Sequence, residues 1–308
     1  MKHLLLVYFF FGSIISGLAQ KTEKLVLDDK ISSEEGYLAV FPGDTPEGFL
    51  VLVGSYGETA EEVLKNSSIP AQASEKGILT IVPLFQTGTS SIGFDQATQE
   101  SFRRIVDFAV EKHQLQKVPF FVGGFSIGGT AAVKFAELAV QNDYGIKPNA
   151  VFAVDPPLDF ERLYYSAKRN IRLSKKSAPP GESEFLLLRL EKELGGNPHK
   201  VLQNFTTASP YSFSDTTQTA IKNLIHTPIR IYTEPDVEFY MSKAMDLSGT
   251  NALDASAFVN ELQRLGNADA ELVVTKEKGF REPNHQRNPH SWSIVDAPEL
   301  VQWLLQHQ

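Results

Sequence analysis

Short apolar runs alternate along the chain with longer segments in which apolar side chains recur every three or four positions. The first pattern fits a strand and the second a helix with one buried face. Residues 24–28 and 37–41 read as two strands, and Gly48–Val53 is apolar throughout, as expected of a strand covered on both faces. Residues 60–74 read as a helical region interrupted at Pro70, followed by a strand at Ile78–Leu84. Gln96–His113 places Phe102, Ile105, Val106, Phe108, Ala109 and Val110 on one wide helical face. A strand at 118–122, a helix to about Asn142 and a strand at Ala150–Val154 come next. The pattern pauses over 155–225 and resumes with a strand at 228–232, a helix at 255–265, a strand at 270–275 and a helix at 297–306. Strands alternating with helices predict a mainly parallel central sheet flanked by helices. Loops inside a compact domain are short, so a pause of this length predicts an inserted, mostly helical subdomain at about 156–225.

One junction in this series carries chemistry. The strand at 118–122 runs into Gly124-Phe125-Ser126-Ile127-Gly128, and the helix opens with Gly129, Thr130, Ala131 and Ala132. A sharp strand-to-helix turn forces Ser126 into a strained conformation and projects its hydroxyl above the sheet. Gly124 and Gly128 leave room where a side chain would strike a neighbouring element. The Ile127 amide then lies at a helix N-terminus, suited to stabilising a negative oxygen. The similar Gly88-Thr89-Ser90-Ser91-Ile92 lacks the second glycine and opens no helix, so it reads as a loop.

This segment resembles the nucleophile elbow of the α/β-hydrolase superfamily, and the likeness extends over nearly all of residues 20–308, with the insertion as the unmatched cap. The resemblance implies an α/β-hydrolase fold and a triad in the chain order serine, acid, histidine. The histidine belongs in the loop before the last helix, where His290 is favoured and His285 is the alternative. The acid belongs after the strand at 228–232, where Asp236 is favoured. Glu234 is a rival in the same loop. Asp155, at the end of the strand after the elbow helix, is another, at a position some lipases use. Asp236 reads equally as a turn former or a helix N-cap. A second oxyanion amide is expected from Gly54-Ser55-Tyr56-Gly57, with Ser55 first and Tyr56 as alternative.

The activity implied is that of a serine hydrolase, a carboxylesterase acting through an acyl-enzyme on a small or carbohydrate-linked acyl substrate. An exopeptidase or amidase is the enzymatic alternative, and an inactive binding protein on the same fold the non-enzymatic one. No cofactor is implied, because the chain has no dinucleotide fingerprint, phosphate loop or zinc-protease motif. Glu282, His285 and His290 share a loop rather than a helix face, so no metal site is expected.

Composition narrows the setting. A chain of 308 residues with 42% hydrophobic content can bury a large core. A net charge of −8 argues against generic nucleic-acid binding. Met1-Lys2-His3, an apolar stretch to Ile15 and Ser16-Gly17-Leu18-Ala19 together predict a cleavable leader over residues 1–19, hence export without a stable membrane anchor. With no cysteine, an exported protein must rely on core burial alone. Lys168, Arg169, Arg172, Lys175 and Lys176 form a basic cluster in the insertion. It reads as a solvated helix face or as an attractor for an acidic or carbohydrate-linked substrate. Tyr164, Tyr165 and Phe185 read as packing or as pocket lining.

Overall fold

The computed structural model describes residues 21–27, 35–173 and 181–308. The expected leader, and Lys175 and Lys176 of the basic cluster, lie outside the described residues. The strands are β1 (Thr22–Val26), β2 (Gly36–Val40), β3 (Gly48–Val53), β4 (Ile78–Leu84), β5 (Phe120–Phe125), β6 (Ala150–Val154), β7 (Ile229–Thr233) and β8 (Ala270–Val274). They form one sheet in the order β1-β2-β4-β3-β5-β6-β7-β8. β1 and β2 run antiparallel to each other, and β2 is antiparallel to β4. From β4 to β8 every pairing is parallel. The carboxyl ends of these parallel strands therefore share one edge of the sheet, and the crossovers must be helical.

The helices are α1 (Ala60–Asn66), α2 (Ile69–Glu75), α3 (Gln96–His113), α4 (Ile127–Gln141), α5 (Phe160–Leu173), α6 (Glu182–Leu194), α7 (Pro198–Ala208), α8 (Val237–Ser242), α9 (Ala252–Arg264) and α10 (Ala297–Leu305). Because successive strand side chains point to opposite faces, each strand feeds two cores. Phe49, Val51 and Val53 join Phe102 of α3, Phe135 of α4 and Phe258 of α9 on one face. Leu50 and Leu52 join Val63 of α1, Ala73 of α2 and Leu300 of α10 on the other. The helical region expected at 60–74 is two helices. The break falls at Ser67 and Ser68, and Pro70 sits in the first turn of α2, where its missing N–H costs nothing.

Between β6 and β7 lie α5, α6 and α7. Phe160, Tyr164, Leu190, Leu194 and Phe205 from these helices form a third apolar cluster with Ile92 and Phe94, and Ile127 packs against it. Asp254 of α9 anchors the base of α5. Its Oδ2 accepts from the amides of Leu158 at 3.0 Å and Asp159 at 3.1 Å, and the carboxylate pairs with Arg162. Arg169 of the basic cluster is held by Asp246 and Ser248.

A buried ion pair lies on the outer turns of α4. Lys134 Nζ is 3.1 Å from Glu137 Oε2 and donates to the Thr207 carbonyl at 2.8 Å. Glu137 is 1% exposed, and burial pushes its carboxyl up to about 7 from an ordinary value of 4.5, against the pull of Lys134. The folded state thus holds a proton that the unfolded chain releases. The stability this group contributes is full below about pH 4.5 and is lost as the pH rises through about 7. Glu137→Gln should remove that loss. Denaturant melts should show the variant gaining up to about 3 kcal/mol on wild type at pH 8 and little at pH 4. An equal difference at both pH values would contradict this account.

Candidate active site

Ser126 occupies the turn between β5 and α4, with φ 54° and ψ −125°. A non-glycine residue there is strained and persists only where its surroundings over-determine it. Here the turn is locked on three sides. The Ser126 amide donates to the Val154 carbonyl of β6 at 2.8 Å. A Cβ on Gly124 would lie 2.4 Å from the Gly128 carbonyl group, and one on Gly128 would lie 2.2 Å from the Gly54 carbonyl oxygen. Both glycines are therefore required by close backbone approach, as the sequence suggests.

The hydroxyl meets a histidine from the far end of the chain. Ser126 Oγ is 3.0 Å from His290 Nε2, and His290 Nδ1 is 2.6 Å from Asp155 Oδ2. With Nδ1–H donating to the carboxylate, Nε2 is left to accept the serine proton. The imidazole packs on the Phe125 ring with centroids 4.6 Å apart, and Phe125 also meets Trp292. Asp155 is buried at the end of β6 with φ 46°. Its Oδ1 accepts from the Thr233 hydroxyl at 2.8 Å, and its carbonyl accepts from Asn251 Nδ2 at 2.9 Å. Side chain and backbone are both fixed, so the carboxylate is aimed rather than merely nearby.

The carboxylate beside His290 is thus Asp155, and the expectation of Asp236 is corrected. Asp236 is the N-cap of α8, with Oδ1 accepting from the Phe239 amide at 2.9 Å, and its Oδ2 takes Arg287 Nη2 at 2.6 Å. Glu234 is also engaged elsewhere. It accepts from Thr275 Oγ1, the Lys278 amide and the Gly279 amide, and pairs with Arg287 at 2.6 Å. Both carboxylates hold the loop that delivers His290 instead of touching its ring. The alternative base, His285, is exposed, stacks on Phe280 and bonds Glu282 at 3.2 Å. Nothing in the local sequence around Asp236 marks Arg287, which approaches from 51 residues away.

The amides expected to serve an oxyanion differ in what they bond. Ile127 begins α4, and its amide has no protein acceptor among the described residues. The Ser55 amide is occupied, donating to Glu58 Oε2 at 2.9 Å. Tyr56, the alternative, has an amide in the same loop with no protein acceptor among the described residues. Glu58 was not singled out by sequence, yet it is a hub. Besides Ser55 it accepts from Asn66 Nδ2 at 2.9 Å and from Trp292 Nε1 at 3.2 Å. One carboxylate therefore ties the loop after β3 to α1 and to the segment carrying His290.

A parallel sheet in this strand order, with a serine elbow after β5 and a histidine loop before α10, can be set beside known structures. The chain resembles an esterase of the bacterial hormone-sensitive lipase family with a TM-score of 0.58 and 16% identity, over 94% of this chain and 84% of that one. It has the α/β-hydrolase fold. Carboxyl esterase 2 of the mycorrhizal fungus Tuber melanosporum matches this fold with a TM-score of 0.57 and 13% identity, over 96% and 87% of the two chains. A fluorophosphonate-binding serine hydrolase of Staphylococcus aureus matches with a TM-score of 0.53 and 13% identity, over 93% and 98%. No family model matches the sequence, and no curated protein matches it. Within the α/β-hydrolase fold, α5, α6 and α7 fill the stretch where the sequence breaks its alternation.

Proposed function

We propose that this protein is a serine hydrolase that cleaves carboxylic esters through an acyl-enzyme on Ser126. The observation that carries the reading is His290 bridging Ser126 at 3.0 Å and Asp155 at 2.6 Å. A serine hydroxyl is a weak nucleophile until an oriented base takes its proton. His290 Nε2 accepts that proton as Ser126 Oγ attacks the acyl carbon, and the carbonyl oxygen becomes an anion facing the Ile127 and Tyr56 amides. Asp155 accepts from Nδ1–H and supports the imidazolium. The bond to the alcohol oxygen breaks, and His290 returns its proton to that oxygen. Water, deprotonated by the same nitrogen, then frees the acid and restores Ser126.

The direct test is labelling with a fluorophosphonate probe, followed by a panel of p-nitrophenyl esters and aminoacyl anilides. Labelling confined to Ser126, with turnover of the esters, is expected. An unlabelled serine would leave a binding protein, and preference for the anilides an amidase. Glu58 offers a separate check. Loosening the loop that presents the oxyanion donor should cost transition-state stabilisation, for which losing one donor outright costs about 10²–10³. Glu58→Gln should therefore lower kcat by about tenfold or more. A rise in kcat would instead identify the freed Ser55 amide as the donor.

A further inference from the structure

A cavity of about 530 Å³ lies beside the elbow. Its inner wall is made by Ile127 and Gly128, the two residues after Ser126, together with the end of β3 and Ser55. The turn at Gly88–Ser90 also lines it and is tied to the loop after β3 by the Gly57 amide donating to the Thr89 carbonyl at 2.8 Å. This volume suits a small organic ligand. Ser126 and His290 are not among its lining residues; the cavity adjoins Ser126 through Ile127 and Gly128, which offers it to a substituent of the substrate rather than to the acyl carbon itself.

The lining decides what kind of substituent. Ser55, Thr59, Thr89, Ser90 and Ser91 are in the lining, and the hydroxyls of Thr59, Ser90 and Ser91 are engaged by Glu62, Thr87 and Thr98. Among the described residues, Ser55 Oγ and Thr89 Oγ1 have no hydrogen-bond partner, so both can donate and accept. Among the described residues of the lining, Glu58 and Glu61 face a single cation, Lys24, so an anionic group meets net negative charge. A cationic group is served poorly too. Among the described residues, the Glu58 carboxylate already has three N–H donors, and Phe85 is the one aromatic ring in the lining where recognition of a quaternary ammonium uses a cage. Val53, Leu84 and Phe85 supply an apolar floor for a C–H face.

Resting on the ester reading above, we infer that this cavity binds a neutral, polyhydroxylated alcohol portion of the substrate, a sugar ring whose hydroxyl carries the acyl group. Ser126 Oγ forms the new bond to the acyl carbon and the bond from that carbon to the sugar oxygen breaks. The sugar oxygen takes the proton from His290 and leaves into the cavity.

The experiment compares O-acetylated methyl glucoside, its glucuronate counterpart, acetylcholine and cyclohexyl acetate. Wild-type hydrolysis is measured as kcat/KM, and binding to Ser126→Ala by calorimetry. The glucoside should exceed each of the others by about tenfold or more, as two new hydrogen bonds would provide. Thr89→Val should lower the ratio of glucoside to cyclohexyl acetate by about fivefold. Equal or better turnover of any competitor, or an unchanged ratio in Thr89→Val, would overturn the inference. The two readings fail separately. Selective glucoside binding by Ser126→Ala without wild-type turnover would sink the ester reading and leave the cavity assignment standing. Ester turnover without glucoside selectivity would do the reverse, and the absence of both would overturn both.

Discussion

Ser126→Ala should lower kcat on a p-nitrophenyl ester by about 10⁵–10⁶-fold, the scale on which losing the nucleophile removes the concerted action of the whole group. Fluorophosphonate labelling should vanish with it. The fold should survive. Among the described residues, the Ser126 side chain has one hydrogen bond of its own, to His290, while the turn is held by the Val154 carbonyl and the tight glycine contacts. Alanine carries the same backbone strain at φ 54°, so the substitution neither relieves nor adds to it. A melting temperature close to wild type together with lost turnover is the expected pair of results. Turnover retained in a folded variant would move the chemistry elsewhere.

Asp155→Asn should cost about 10⁴-fold in kcat. The amide would favour the wrong imidazole tautomer and could not support the imidazolium. Asp236→Asn is the contrasting case. Asparagine is as good an N-cap as aspartate, so α8 should persist. The change removes one partly exposed ion pair with Arg287, worth about 1 kcal/mol or less, while Glu234 keeps its own contact with that guanidinium. Its kcat should stay within about fivefold of wild type. If Asp236→Asn were the crippled variant and Asp155→Asn the healthy one, the geometry around His290 would have been misread.

The contrast shows where sequence reasoning succeeds. The elbow is legible because its determinants are contiguous: an apolar strand, two glycines that admit close backbone contact and a helix of small residues. The parallel sheet is legible for the same reason, since each strand announces itself in its own residues. The carboxylate that meets His290 is not, because its position depends on distant partners. Thr233 and Asn251 fix Asp155, and Arg287 claims Asp236. No local pattern encodes that competition. Ser55 illustrates a subtler failure. Its competitor, Glu58, lies only three residues on, but whether that carboxylate folds back on the amide depends on Asn66 and Trp292 as well. Helix α8 escapes because Val237–Ser242 is too short to show a period, although Asp236 is legible as a cap.

With the carboxylate on β6, the reacting groups differ in how they are tethered. Val154 pairs with Phe125, and the residues that follow each, Asp155 and Ser126, leave the sheet side by side. Any chain that has zipped these two strands has already set both in place. His290 instead arrives on a strap buckled by Arg287 to Glu234 and Asp236. Gentle denaturation should therefore separate the imidazole from its two partners before the molecule melts, while serine and carboxylate remain in register.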